Sequence, residues 1–125
     1  MLLDTNIIIE LFKGNAKILE LLTKEKNLCI SSITVMELYF GAFNKREVNK
    51  IKKALSTFNV ISIDDSISKK AIDLIEYYAK SHGLMIPDAI IAATALVESV
   101  EIMTLNIKDF RFIKELKIFE INHTN

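Results

Sequence analysis

Short apolar segments alternate along this chain with longer stretches of helical period, and that alternation restricts it to an α/β domain built on a mainly parallel sheet. Strand segments are read at 1–3, 28–30, 59–63, 100–104 and 117–121. Between them, helical periodicity covers 5–13, 16–26, 35–43, 47–56, 67–82 and 88–98, with a shorter helical segment at 108–114. The stretch 89–97 is apolar on almost every side, which predicts a helix deep in the core, opened by the single proline, Pro87. At 125 residues the length suits one domain spanning 1–125.

Composition narrows the function classes. With 50% hydrophobic and 26% charged residues the chain can bury a sizeable interior. Its 16 basic and 16 acidic residues cancel, so no global field advertises a polyanionic partner, and any nucleic-acid site has to be local. The lone Cys29 lies in an apolar run and reads as a buried small hydrophobe. No apolar stretch approaches the ~18 to 20 residues that cross a bilayer, and no basic n-region precedes the first strand. A cytoplasmic protein with no membrane partner is expected.

Acidic and amide residues recur at element boundaries: Asp4 after the first strand, Glu37 after the second, Asp88 entering the buried helix, and Asn106 with Asp109 after the fourth strand. Each has an ordinary structural reading. Asp4 can cap the helix starting at Thr5; Glu37 stands three residues after Thr34, as in a capping box; Asp88 suits a helix N-terminus; Asp109 can begin a short helix. Jointly they mean more, because residues past the carboxyl ends of neighbouring parallel strands converge on one crevice. Carboxylates gathered there without a counter-ion repel, and a divalent cation resolves the conflict. With no His or Cys nearby, the ligand chemistry favours Mg²⁺ or Mn²⁺ over Zn²⁺. Both histidines, His82 and His123, read as surface residues. Such a site suits phosphoryl chemistry.

Four ordered segments then carry a family likeness. Leu2-Leu3-Asp4-Thr5-Asn6, the run 31–38 around Glu37, the run 86–95 around Pro87-Asp88, and Thr104-Leu105-Asn106-Ile107-Lys108-Asp109-Phe110 resemble the PIN-domain family, in particular the VapC-type toxin ribonucleases of type II toxin-antitoxin pairs. The resemblance spans essentially the whole chain. It implies a three-layer α/β/α domain with a five-stranded parallel sheet in the order 3-2-1-4-5. It further implies a Mg²⁺-dependent endoribonuclease, with Mn²⁺ able to substitute, that leaves 5′-phosphate and 3′-hydroxyl ends. An RNA substrate, a cognate antitoxin and a homodimer follow as expected partners. Asp4, Glu37 and Asp88 match the family's first three acidic positions. For the fourth, some members carry Asp where this chain has Asn106, and others carry Asn there with Asp three residues on, as Asp109 stands here. Asp109 is taken as the contributor, with Asn106 as a neutral ligand or hydrogen-bond partner. Thr5, Asn6 and Thr104 match polar positions that support the site.

Local charge and apolar surface complete the reading. Lys45, Arg46, Lys50, Lys52 and Lys53 form a basic cluster beyond the Glu37 segment, and Lys13 with Lys17 a smaller one; either a solvated helical face or contacts to RNA or antitoxin explain them. Ile8, Leu11, Phe12, Leu38, Tyr39 and Phe43 offer more apolar surface than a small core needs, and part of it can form a partner groove. Two further readings stand beside the nuclease: a non-catalytic PIN-like RNA- or protein-binding module, and a receiver-like phosphoacceptor suggested by Asp64-Asp65. An aspartyl phosphatase is disfavoured because no second Asp stands two residues after Asp4.

Overall fold

Apart from the edge strand at 59–61, which is largely exposed, every strand is a pair or triplet of buried residues whose apolar side chains enter opposite cores, which is why these segments read as apolar runs. The structure, a computed structural model, describes residues 1–121; His123 lies outside them. The strands are β1 (Leu2–Leu3), β2 (Cys29–Ser31), β3 (Asn59–Ile61) and β4 (Ile102–Met103). They form one parallel sheet in the order β3-β2-β1-β4. Leu2, Cys29 and Ile102 face one core, with Ile67, Leu74, Ala92 and Phe110. Leu3, Ile30 and Met103 face the other, with Ile7, Ile8, Ile18 and Leu22. Helices thus cover both faces of the sheet.

The helices are α1 (Thr5–Phe12), α2 (Ala16–Thr23), α3 (Ser32–Phe40), α4 (Lys45–Leu55), α5 (Asp65–His82) and α6 (Ile86–Glu98). Caps set their limits. Asp4 accepts from the Thr5 N–H at 2.8 Å, Ser31 from Ile33 at 3.1 Å and Asp64 from Ile67 at 2.9 Å. Gly83, at φ 72°, ends α5 in the left-handed region that glycine enters without a Cβ penalty. Pro87 sits in the first turn of α6, whose Ala89, Ile91, Ala92, Ala93 and Ala95 are buried, as the all-round apolar pattern predicts.

Three expectations need correction. The fifth strand is reduced to one bridge: Ile102 N–H donates to Lys117 O at 2.9 Å and Phe119 N–H to Ile102 O at 2.8 Å. The segment occupies the expected position outside β4, but β4 has only two residues before Thr104 turns toward Asp4, so the ladder cannot extend. Second, α3 begins at Ser32 rather than at 35, with Ser31 as its cap, which places Glu37 in mid-helix and removes the capping-box reading from Thr34. Third, the helical segment expected at 108–114 is a 3-10 turn over Ile107–Asp109, so Asp109 closes a turn instead of beginning a helix. Asp64 and Asp65 are a helix cap and the partner of Lys69 at 3.1 Å, which leaves no phosphoacceptor pair there. No helix among the described residues is long and apolar enough to cross a membrane.

Candidate active site

Because β1 lies between β2 and β4, whatever follows β1 is flanked by the exits of both neighbours. Asp4 occupies that central place. It is 5% exposed, and both carboxylate oxygens are engaged: Oδ1 by the Thr5 N–H at 2.8 Å, Oδ2 by the Thr104 hydroxyl at 2.7 Å and by Asn6 Nδ2 at 3.2 Å. Burial raises its pKa above the ordinary 3.8; the Thr104 and Thr5 hydrogen bonds oppose that rise, and the charges of Glu37 and Asp109 add to it.

The other acids are held progressively less. Glu37, on α3, receives a hydrogen bond from the Thr5 hydroxyl to Oε1 at 2.7 Å, and Oε2 has no donor among the described residues. Asp88, in the first turn of α6, is half-buried, and its carboxylate, like that of Asp109, makes no hydrogen bond among the described residues. Burial pushes the Asp88 pKa up to about 6, reinforced by the charges of Asp4, Asp109 and Glu37. Asp4 and Asp88 therefore both feel the charges of Glu37 and Asp109 through space. None of them is in an ion pair among the described residues.

Polar residues tie the crevice together. Asn6 donates to Asp4 and, at 3.4 Å, to the Thr104 hydroxyl, while its Oδ1 accepts the Leu105 N–H at 3.2 Å. Asn106 contributes through its backbone: its N–H donates to Thr104 Oγ1 at 3.0 Å, and its side chain is exposed without a partner among the described residues. Of the two residues weighed for the fourth position, Asp109 is the one whose charge reaches Asp4 and Asp88. Thr34 was not expected here. It is fully buried, and its hydroxyl lies 2.9 Å from that of Thr5.

The donors are all oxygens, which is the chemistry of a hard divalent cation. As the side chains stand, no three Asp, Glu, His or Cys among the described residues surround one point closely enough to hold an ion.

The surrounding features sort clearly. Lys45, Arg46, Lys50, Lys52 and Lys53 are exposed on α4, which packs beside α3, and none is in an ion pair among the described residues. Lys13, of the smaller basic cluster, pairs with Glu10 at 3.5 Å. Of the apolar surplus, Ile8 and Leu38 belong to the core, Leu11 and Tyr39 are half-buried, and Phe12 and Phe43 are exposed. Phe40, overlooked in the sequence, is 93% exposed, as is Phe43. Cys29 is buried, with a thiol pKa raised by burial, and has no part in the crevice. His82 stacks on Phe112, with ring centroids 4.5 Å apart.

Comparison with known proteins agrees with this arrangement. The PIN domain family model matches residues 1–115. Ribonuclease VapC10 of Mycobacterium tuberculosis is 29% identical over 121 residues, covering 94% of this chain and 90% of that protein. A toxin-antitoxin complex from Klebsiella pneumoniae contains a chain 38% identical, with a TM-score of 0.78 over 92% of this chain and 93% of that one. The DNA-bound VapBC of Salmonella typhimurium superposes with a TM-score of 0.85 at 25% identity, over 96% of each chain. The crevice acids, the parallel sheet and these likenesses agree, and the chain belongs to the PIN domain family.

Proposed function

We propose that this chain is a Mg²⁺-dependent endoribonuclease, the toxin of a type II toxin-antitoxin pair, with Mn²⁺ able to serve in place of Mg²⁺. The single observation that carries the reading is a buried Asp4 and a half-buried Asp88 that both feel the charges of Glu37 and Asp109, with none of the four in an ion pair among the described residues. Its relatives' names, ribonuclease VapC and toxin-antitoxin complex, supply the substrate class and the partner. A single domain over 1–125, working in the cytoplasm as a homodimer, completes the proposal.

Asp4, Glu37, Asp88 and Asp109 would hold the ion, with Asn106 as a neutral neighbour. The bound ion supplies charge neutralisation at a phosphodiester and activation of water. Asp4 is the fixed member, since three donors prevent it from turning. Glu37 is held by one oxygen and presents the other. Asp88, whose pKa is pushed up to about 6, would bind the ion in its deprotonated form. Thr5, Asn6 and Thr104 orient the carboxylates. Lys45, Arg46, Lys52 and Lys53 offer RNA phosphates a basic surface. Phe40 and Phe43, with half-buried Tyr39 between helix and solvent, give the antitoxin an apolar one.

Cleavage of a mixed small-RNA pool tests the reading, using purified protein with Mg²⁺ or Mn²⁺, with chelator, and with the Asp4→Asn/Asp88→Asn variant. Cleavage should require both the ion and the carboxylates. Wild-type and variant protein behaving alike would mark a non-catalytic PIN-like RNA- or protein-binding module instead.

A further inference from the structure

We infer that Thr34 is a positioning residue for Glu37, acting through the hydroxyl of Thr5; the inference rests on the ion-site reading above. The Thr5 hydroxyl stands 2.7 Å from Glu37 Oε1 and 2.9 Å from Thr34 Oγ1. A hydroxyl carries one hydrogen. The carboxylate oxygen can only accept, so the Thr5 hydrogen goes to Glu37, and the hydrogen between the two threonines comes from Thr34. The order of donation is therefore Thr34 to Thr5 to Glu37.

Thr34 does not use its hydroxyl as a threonine inside a helix commonly does. Thr94, equally buried in α6, donates to the carbonyl four residues back, Ile90 O, at 2.7 Å. Thr34 makes no such bond, and the cap of its helix is already supplied by Ser31. Its hydroxyl is fully buried and directed at the N-terminus of a different helix, α1. Leaving such a group without a partner is costly, so Thr5 and Thr34 lock each other's rotamers.

The consequence reaches the acid. Thr34 and Glu37 lie one turn apart on the same face of α3, with the Thr5 hydroxyl bridging them. With its hydrogen committed, Thr5 anchors Oε1 of Glu37 and leaves Oε2 without a donor among the described residues. Valine at position 34 keeps the shape of the side chain but removes the donor, which frees the Thr5 hydroxyl to rotate and Glu37 with it.

The test compares Thr34→Val, Thr34→Ser and Thr5→Val with wild type by titrating Mn²⁺ calorimetrically, with thermal unfolding as the check on folding and RNA cleavage as a second readout. Thr34→Val should weaken ion binding by about tenfold, the scale of outer-shell partners, and lower kcat with KM little changed. Thr34→Ser, which keeps the hydroxyl, should retain wild-type affinity. In a double variant, Thr34→Val added to Thr5→Val should cost no further affinity. Unchanged affinity in a folded Thr34→Val protein, or additive losses in the double variant, overturns the inference. Should Thr34→Val fail to fold, the comparison of Thr34→Ser with Thr5→Val decides: a loss in Thr34→Ser equal to that in Thr5→Val overturns it. A wild-type protein that binds no Mn²⁺ overturns the ion-site reading and this inference together, whereas binding that ignores Thr34 overturns only the latter.

Discussion

The Thr104 hydroxyl donates to Asp4 Oδ2 at 2.7 Å, joining the end of β4 to the end of β1 inside the protein. Neither partner is more than 5% exposed. Thr104→Val removes a donor from a buried carboxylate and should destabilise the fold by about 1–3 kcal/mol near neutral pH. The loss should shrink in acid, where a protonated Asp4 no longer needs the donor, and Thr104→Ser should stay near wild type. Urea unfolding at both pH values checks this; equal stability of Thr104→Val and wild type at neutral pH would refute it.

Asp88 makes the ion-free protein less stable as pH rises. Its folded pKa of about 6 lies above the ordinary 3.8, so the native state holds the proton more tightly than the unfolded chain. That contribution is fully present below the unfolded value and is lost as pH climbs through 6. After discounting a half-buried group for solvent screening, the effect is on the order of 1 kcal/mol. Melting curves in chelator should therefore fall in midpoint between about pH 4 and pH 7. Asp88→Asn should flatten that fall and be the more stable protein above pH 6. A wild-type midpoint that rises over this range contradicts the assignment.

Charge on α4 is expected to govern the salt dependence of RNA binding. Lys52 and Lys53 are exposed in its last turn and bear no ion pair among the described residues. Reversing both to Glu in a cleavage-deficient Asp4→Asn background should reduce the slope of log K against log salt by about one to two units. Fluorescence anisotropy across a salt series measures it. An unchanged slope assigns these lysines to a solvated helix face.

The sequence made the α/β alternation visible because two-sided burial turns short strands into apolar pairs such as Leu2-Leu3 and Ile102-Met103, and because Asp64, Gly83 and Pro87 punctuate their helices by local chemistry. The acids at the strand exits were visible for the same topological reason. Local chemistry stops being decisive where several residues can do one job. Ser31, Ser32 and Thr34 could each have capped α3; the long-range contact with Thr5 claims Thr34, and Ser31 caps instead. The fifth strand has apolar residues enough, but the turn of Thr104 toward Asp4 leaves β4 too short to pair with it. Phe40 and Phe43 look like core residues by type, yet both stand in solvent, at and just beyond the end of α3.

The central claim is that Asp4, Glu37, Asp88 and Asp109 form one divalent-cation site, and calorimetric titration of Mn²⁺ into wild type and Asp88→Asn tests it most directly. The account predicts saturable binding in wild type, accompanied by proton release that grows as pH falls toward 6, with both lost in Asp88→Asn. Equal binding by the two proteins, or none by wild type, would contradict it.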